Sequence, residues 1–108
     1  MIEVKSGDYG YNINFSITEA DGTSKVLDGY TITLKVWGST LEVFIGECEQ
    51  DSTVGACHYE VKEGDFELPL GIPFLLYDAE IELTKTGEKL STETFQIRLY
   101  SSPWKENW

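Results

Sequence analysis

The sequence predicts an all-β protein, a β-sandwich of about seven antiparallel strands. Three observations carry that prediction. Apolar and polar side chains alternate through most of the chain, and a period of two puts one set on each face of a sheet. Turn signals built on glycine and aspartate recur every ~8–12 residues, as a sandwich requires. No helical segment is long enough for a parallel βαβ unit.

The segment from Tyr77 to Leu99 is the clearest element. Ala79, Ile81 and Leu83 alternate with Asp78, Glu80 and Glu82, and Phe95, Ile97 and Leu99 alternate with Gln96 and Arg98. Gly87 supplies the turn between them, so the segment reads as an antiparallel hairpin with one buried and one wet face. Upstream, Ile2 and Val4 alternate in a short first strand that Gly7 and Gly10 break. Tyr11, Ile13, Phe15 and Ile17 share one face of the next strand, which ends before the turn Ala20-Asp21-Gly22. After Val26-Leu27 and a turn at Asp28-Gly29, Ile32, Leu34 and Val36 point inward, while Thr31, Thr33 and Lys35 suit a strand surface. Leu41 to Cys48 and Ala56 to Val61 form a further pair. Residues 62–75 read as irregular, because Pro69 and Pro73 interrupt backbone pairing there. One domain is expected over residues 1–100, followed by a tail at 101–108. Its expected core is Ile13, Phe15, Ile17, Ile32, Leu34, Val36, Ile81, Leu83, Phe95 and Ile97.

Composition limits the function classes. The 108 residues suffice for one core, and 41% hydrophobic with 13% aromatic content argues against disorder. Nineteen acids against 8 bases give a net charge of −11. Such a chain repels phosphate backbones and anionic membranes, so neither nucleic acid nor membrane is an expected partner. No run approaches the ~20 apolar residues of a membrane span. Met-Ile-Glu-Val-Lys-Ser-Gly-Asp lacks the basic and apolar regions of a signal peptide, so synthesis in the cytoplasm without export is expected.

The chemistry-bearing residues are few. Cys48 and Cys57 lie at the base of one expected hairpin. If they are directly opposite, Tyr59 covers Gly46 and Phe44 meets Val61, all on one face. A disulfide there would close a loop of about ten residues, a stabilisation of roughly 2–3 kcal/mol in the chain-entropy model. Reduced thiols are the expected state in an unexported protein. The one histidine, His58, alternates outward with Ala56 and Glu60 and reads as a surface residue with no positioned partner. No nucleophile-elbow or cysteine-nucleophile signature accompanies it, so no catalytic residue is assigned and the chain is expected not to be an enzyme. Glu47, Glu49 and Asp51, like Asp78, Glu80 and Glu82, recur every second residue without the glycine-punctuated spacing of a calcium loop. They read as solvated acidic faces, and neither metal nor cofactor is expected. The tryptophans remain as interaction candidates. Trp37 has outward parity and serves equally as a surface anchor or as a cap on an open end of the sandwich. Trp104 and Trp108 fall in the tail, where an interface role is favoured.

The order of elements then becomes informative. A Gly-Asp-x-Gly start at Gly7 leads to an alternating strand, Ala20-Asp-Gly and Leu27-Asp-Gly-Tyr-Thr-Ile-Thr-Leu-Lys-Val. A loop carrying Asp51 and Gly55 precedes Tyr59, and Tyr77-Asp-Ala-Glu-Ile-Glu-Leu precedes Ser91-Thr-Glu-Thr-Phe-Gln-Ile. Over residues ~5–100 this resembles the immunoglobulin-like N-terminal domain of phage baseplate upper proteins. The resemblance implies an immunoglobulin-like β-sandwich, a non-enzymatic structural module of a phage tail or prophage particle. Its implied partners are other phage structural proteins, with homo-oligomerisation in the assembly an option, and its implied location is the virion. A carbohydrate-binding sandwich that uses exposed aromatics is the alternative, since architecture alone does not fix function.

Overall fold

The computed structural model describes residues 2–38 and 42–101, with Glu42 and Val43 described by backbone alone. The described residues are all-β and contain no helix. Eight strands are present among them: β1 (Ile2–Lys5), β2 (Asn12–Ser16), β3 (Thr31–Trp37), β4 (Glu42–Gln50), β5 (Ala56–Glu60), β6 (Phe74–Lys85), β7 (Glu88–Ser91) and β8 (Phe95–Tyr100). They form one mixed sheet in the order β1-β8-β6-β3-β4-β5-β2, with β7 attached to β6, and the sheet curls into a half-barrel. β1 runs parallel to β8, where sequence alternation had suggested antiparallel neighbours throughout.

The hairpin read from Tyr77 to Leu99 is present but longer and broken. β6 begins at Phe74, inside the stretch expected to be irregular. Its return arm is split into β7 and β8 along the same side of β6. Glu82 pairs with Ser91 and Ala79 with Phe95, so the return arm holds an extra residue between those points. That is a β-bulge, and a bulge bends the strand that carries it. Thr92 secures it: its N–H donates to Ile81 O at 2.9 Å and its hydroxyl accepts from Ile81 N–H at 2.9 Å.

The core lies on the concave side of the sheet. Ile13, Ile17, Ile32, Leu34, Val36, Ile81, Leu83 and Ile97 are buried as their alternation predicts. Phe15 and Phe95 are only partly buried, yet their ring centroids are 5.7 Å apart and join β2 to β8 across the fold. Phe66, from the irregular stretch, is buried and packs edge-on against Phe44 at 5.1 Å. Sequence alternation could not assign it, because it sits in no strand. Burying a side chain such as Leu34 stabilises by about 1.5–3 kcal/mol.

Candidate interaction surfaces

The convex face near β6 exposes a run of apolar residues. Leu70, Ile72, Phe74 and Leu76 are all exposed. Pro69 to Ile72 form a turn in which Ile72 N–H donates to Pro69 O at 3.1 Å. Gly71 has φ 84°, the left-handed value that the third position of a type II turn requires. The chain is therefore bent tightly by backbone geometry, and Leu70 at its tip is fully exposed. Ser101 N–H donates to Pro73 O at 3.2 Å, which ties the end of β8 to the base of this turn. Beside it, the Arg98 guanidinium lies 5.2 Å from the Phe74 ring centre and 5.6 Å from that of Tyr100. Arg98 Nη1 also contacts Glu3 Oε1 at 3.3 Å. Both rings thus already stack against a cation.

Trp37 lies on the same convex face, half-buried at the end of β3, where it pairs with Asp78. The β3–β4 register shifts between Val36 and Trp37. Trp104 and Trp108 lie outside the described residues, as does most of the tail.

Cys48 and Cys57 are buried and free. The expected face is right and the expected register is not. Cys57 pairs with Gln50 and His58 with Glu49, which offsets the hairpin by two residues from a direct Cys48–Cys57 pairing. Burial pushes the Cys48 thiol up to about 12, and the neighbouring Cys57 adds to the rise. Burial pushes the Cys57 thiol up to about 11. Protonated, buried thiols are poor nucleophiles, so the pair acts as core packing. Tyr59 does cover Gly46, as expected: a Cβ on Gly46 would fall inside the Tyr59 ring. Tyr59 Oη donates to Asp65 Oδ2 at 2.5 Å. Burial, then that carboxylate, raises the phenol above its ordinary range.

His58 departs from its expectation of an unpartnered surface position. It is half-buried, with Nδ1 2.6 Å from Asp51 Oδ1 and Nε2 3.7 Å from Glu49 Oε2. The β4–β5 turn brings Asp51 back beside it, since Asp51 N–H donates to Ala56 O at 2.8 Å. Around it, a groove of about 270 Å³ is lined by Asn12, Glu47, Glu49, His58, Glu60 and Lys62. No group of three or more His, Cys, Asp or Glu side chains among the described residues is arranged to hold a metal ion. The second acidic run is not a bare face either. Glu82 Oε2 lies 2.7 Å from Lys35 Nζ and 3.4 Å from Lys89 Nζ, and the Lys35 bond holds its carboxyl below the ordinary value.

No family model matches the chain, and no curated protein is significantly similar to it.

Proposed function

We propose that the chain is an immunoglobulin-like β-sandwich module of a phage or prophage tail or baseplate, acting through protein–protein contacts and not through catalysis. The resemblance in residues ~5–100 supplies the particle. The exposed run Leu70, Ile72, Phe74 and Leu76 supports the mode of action. Clustered exposed apolar side chains mark contact surfaces, and a tight turn presents these with little ordering cost on binding. A sugar platform fits this face less well, because the Phe74 and Tyr100 rings are engaged by Arg98.

The test is quantitative mass spectrometry of particles purified from an induced host. This chain should be present at a fixed ratio to the other tail proteins. Its absence from intact particles would overturn the reading. Binding to members of a glycan panel, lost on Trp37→Ala, would instead establish the carbohydrate-binding alternative.

A further inference from the structure

We infer that β2 is a docking edge that takes up an extended, basic segment of a partner protein as an added strand. The inference rests on the reading above, that the chain works through protein contacts.

The backbone pattern fixes which groups are offered. Ile17 N–H donates to Gly55 O at 2.7 Å and Val61 N–H donates to Tyr11 O at 2.9 Å. In an antiparallel ladder such residues alternate with ones whose N–H and C=O point the other way. The N–H and C=O groups of Asn12, Asn14 and Ser16 therefore point away from β5. β2 ends the strand order, and no strand among the described residues pairs with that side.

Comparison with the other edges shows what is unusual. Edge strands ordinarily carry charge, proline or a bulge to discourage pairing. β1 carries Glu3 and Lys5, and β7 carries Glu88 and Lys89. β2 reads Asn-Ile-Asn-Phe-Ser, with no charge, no proline and an unbroken register against β5. Beyond Ser16 the same line enters an open groove of about 610 Å³ between Ser16–Ala20 and Ser91–Glu93, which leaves room for an added strand to continue.

Charge names the occupant. The outward face that β2 shares with β5 and β4 is a groove holding Glu60 opposite Asn12 and, further along, Glu47 and Glu49, with Lys62 and the His58 imidazole as its basic groups. Glu93 flanks the second groove, as does Glu19, which is ion-paired to Lys25 at 3.2 Å. An added strand places every second side chain on that outward face. At ~4.8 Å per strand, such a side chain lies about 10 Å from Glu60 on β5 and further from the β4 acids. Lysine or arginine there gains a longer-range attraction from Glu60, from Glu93 and from the net charge of −11, whereas glutamate meets like charge.

The experiment uses the full chain and three ten-residue peptides, read by amide chemical shifts and hydrogen exchange. One alternates valine with lysine, one alternates valine with glutamate, and one is the lysine peptide N-methylated at alternate residues. The lysine peptide should protect the amides of Asn12, Asn14 and Ser16. The glutamate and N-methylated peptides should bind at least about tenfold more weakly, having lost charge or backbone pairing. Asn14→Pro removes an N–H that faces away from β5, a position where an edge strand tolerates proline. It should weaken the lysine peptide by at least about tenfold while the amides of Ile13 and Phe15 keep their protection. If that variant does not fold, the N-methylated peptide tests the same bonds from the other partner. Equal binding of the lysine and glutamate peptides, no binding, or protection centred on β1 or β7 would overturn the inference. So would self-association of the free chain with these same amides protected, because the occupant would then be a second copy. Presence of the chain in particles without peptide binding sinks the docking edge alone. Peptide binding with absence from particles sinks the particle role alone.

Discussion

The β3–β6 ladder and the β4–β5 hairpin are both antiparallel, yet they are held in very different ways. β3 pairs with β6 along its whole length, from Thr31↔Thr84 to Trp37↔Asp78. Ile32, Leu34 and Val36 face Leu83, Ile81 and Ala79, and every one of them is buried. β4 and β5 pair only at Glu49↔His58 and Gln50↔Cys57 before they part, β4 to β3 and β5 to β2. What joins them beyond that point is side-chain packing: Phe44 stacks on Tyr59 at 5.6 Å, and Tyr59 fills the space above Gly46. One region is set by a backbone ladder and its alternating faces, the other by the shape of one aromatic ring.

The largest expected effect breaks the first region. Leu34→Ala removes a fully buried side chain at the centre of the ladder and should cost ~2–5 kcal/mol in urea unfolding, by lost transfer energy plus a cavity. Phe95→Ala, at a partly buried site, should fall at or below the lower end of that range. Equal losses would mean that the Phe15–Phe95 contact carries as much of the core as the ladder does.

The second prediction addresses the hairpin. Gly46→Ala puts a methyl group into the Tyr59 ring and should cost about 1–3 kcal/mol through overpacking. In a Tyr59→Leu background the same change should cost markedly less, since the obstructing ring is gone. An unchanged cost in the double variant would show that backbone conformation, not the ring, demands glycine at this position.

This contrast also explains what the sequence disclosed. In β3, and in β6 from Tyr77 onward, apolar and polar side chains alternate, and a one-residue slip would expose Leu34 and Ile81 together. Register is thereby fixed by hydrophobicity. In the β4–β5 hairpin, a slip of two residues leaves every face unchanged, so Cys48 opposite Cys57 and the observed Gln50↔Cys57 pairing satisfy the same pattern. Turn geometry decides between them, and alternation carries no information about it. The His58–Asp51 contact was missed for the same reason, because it depends on how the turn returns Asp51. The parallel pairing of β1 with β8 joins residues from opposite ends of the chain, such as Val4 and Leu99, and no local signal reports that. The exposed turn at Pro69–Ile72 did leave a signal, Pro-x-Gly, but Leu70 beside it reads like any core residue until its exposure is seen.

A smaller effect sharpens the view of the ladder's wet face. Glu82 is held below its ordinary pKa by Lys35 first and by Lys89 after it. A lowered folded-state pKa contributes stability that is present above the unfolded value and is lost as pH falls through the folded one. Glu82→Gln should therefore destabilise by about 0.2–1 kcal/mol near neutral pH, as for a solvent-screened ion pair on the outer face of a sheet. The gap from the parent chain should close as pH falls below the ordinary carboxylate range of about 4.3. A gap that stays constant through acid would assign the loss to packing of the side chain instead of its charge.

The smallest effect on stability is expected where the apolar character is most conspicuous. Leu70 sits at the tip of a turn set by the Ile72–Pro69 hydrogen bond and by Gly71, and neither depends on the leucine side chain. With its side chain fully exposed, Leu70→Ser should change unfolding free energy by no more than about 0.5 kcal/mol, as at an ordinary surface position. The same substitution should reduce incorporation of the chain into particles, because a contact surface loses its most projecting apolar group. A stability loss well beyond that range would make the turn part of the domain's own packing, in the manner of Tyr59 over Gly46. Unchanged stability with unchanged incorporation would remove this turn from the contact surface and leave the β2 edge to carry it.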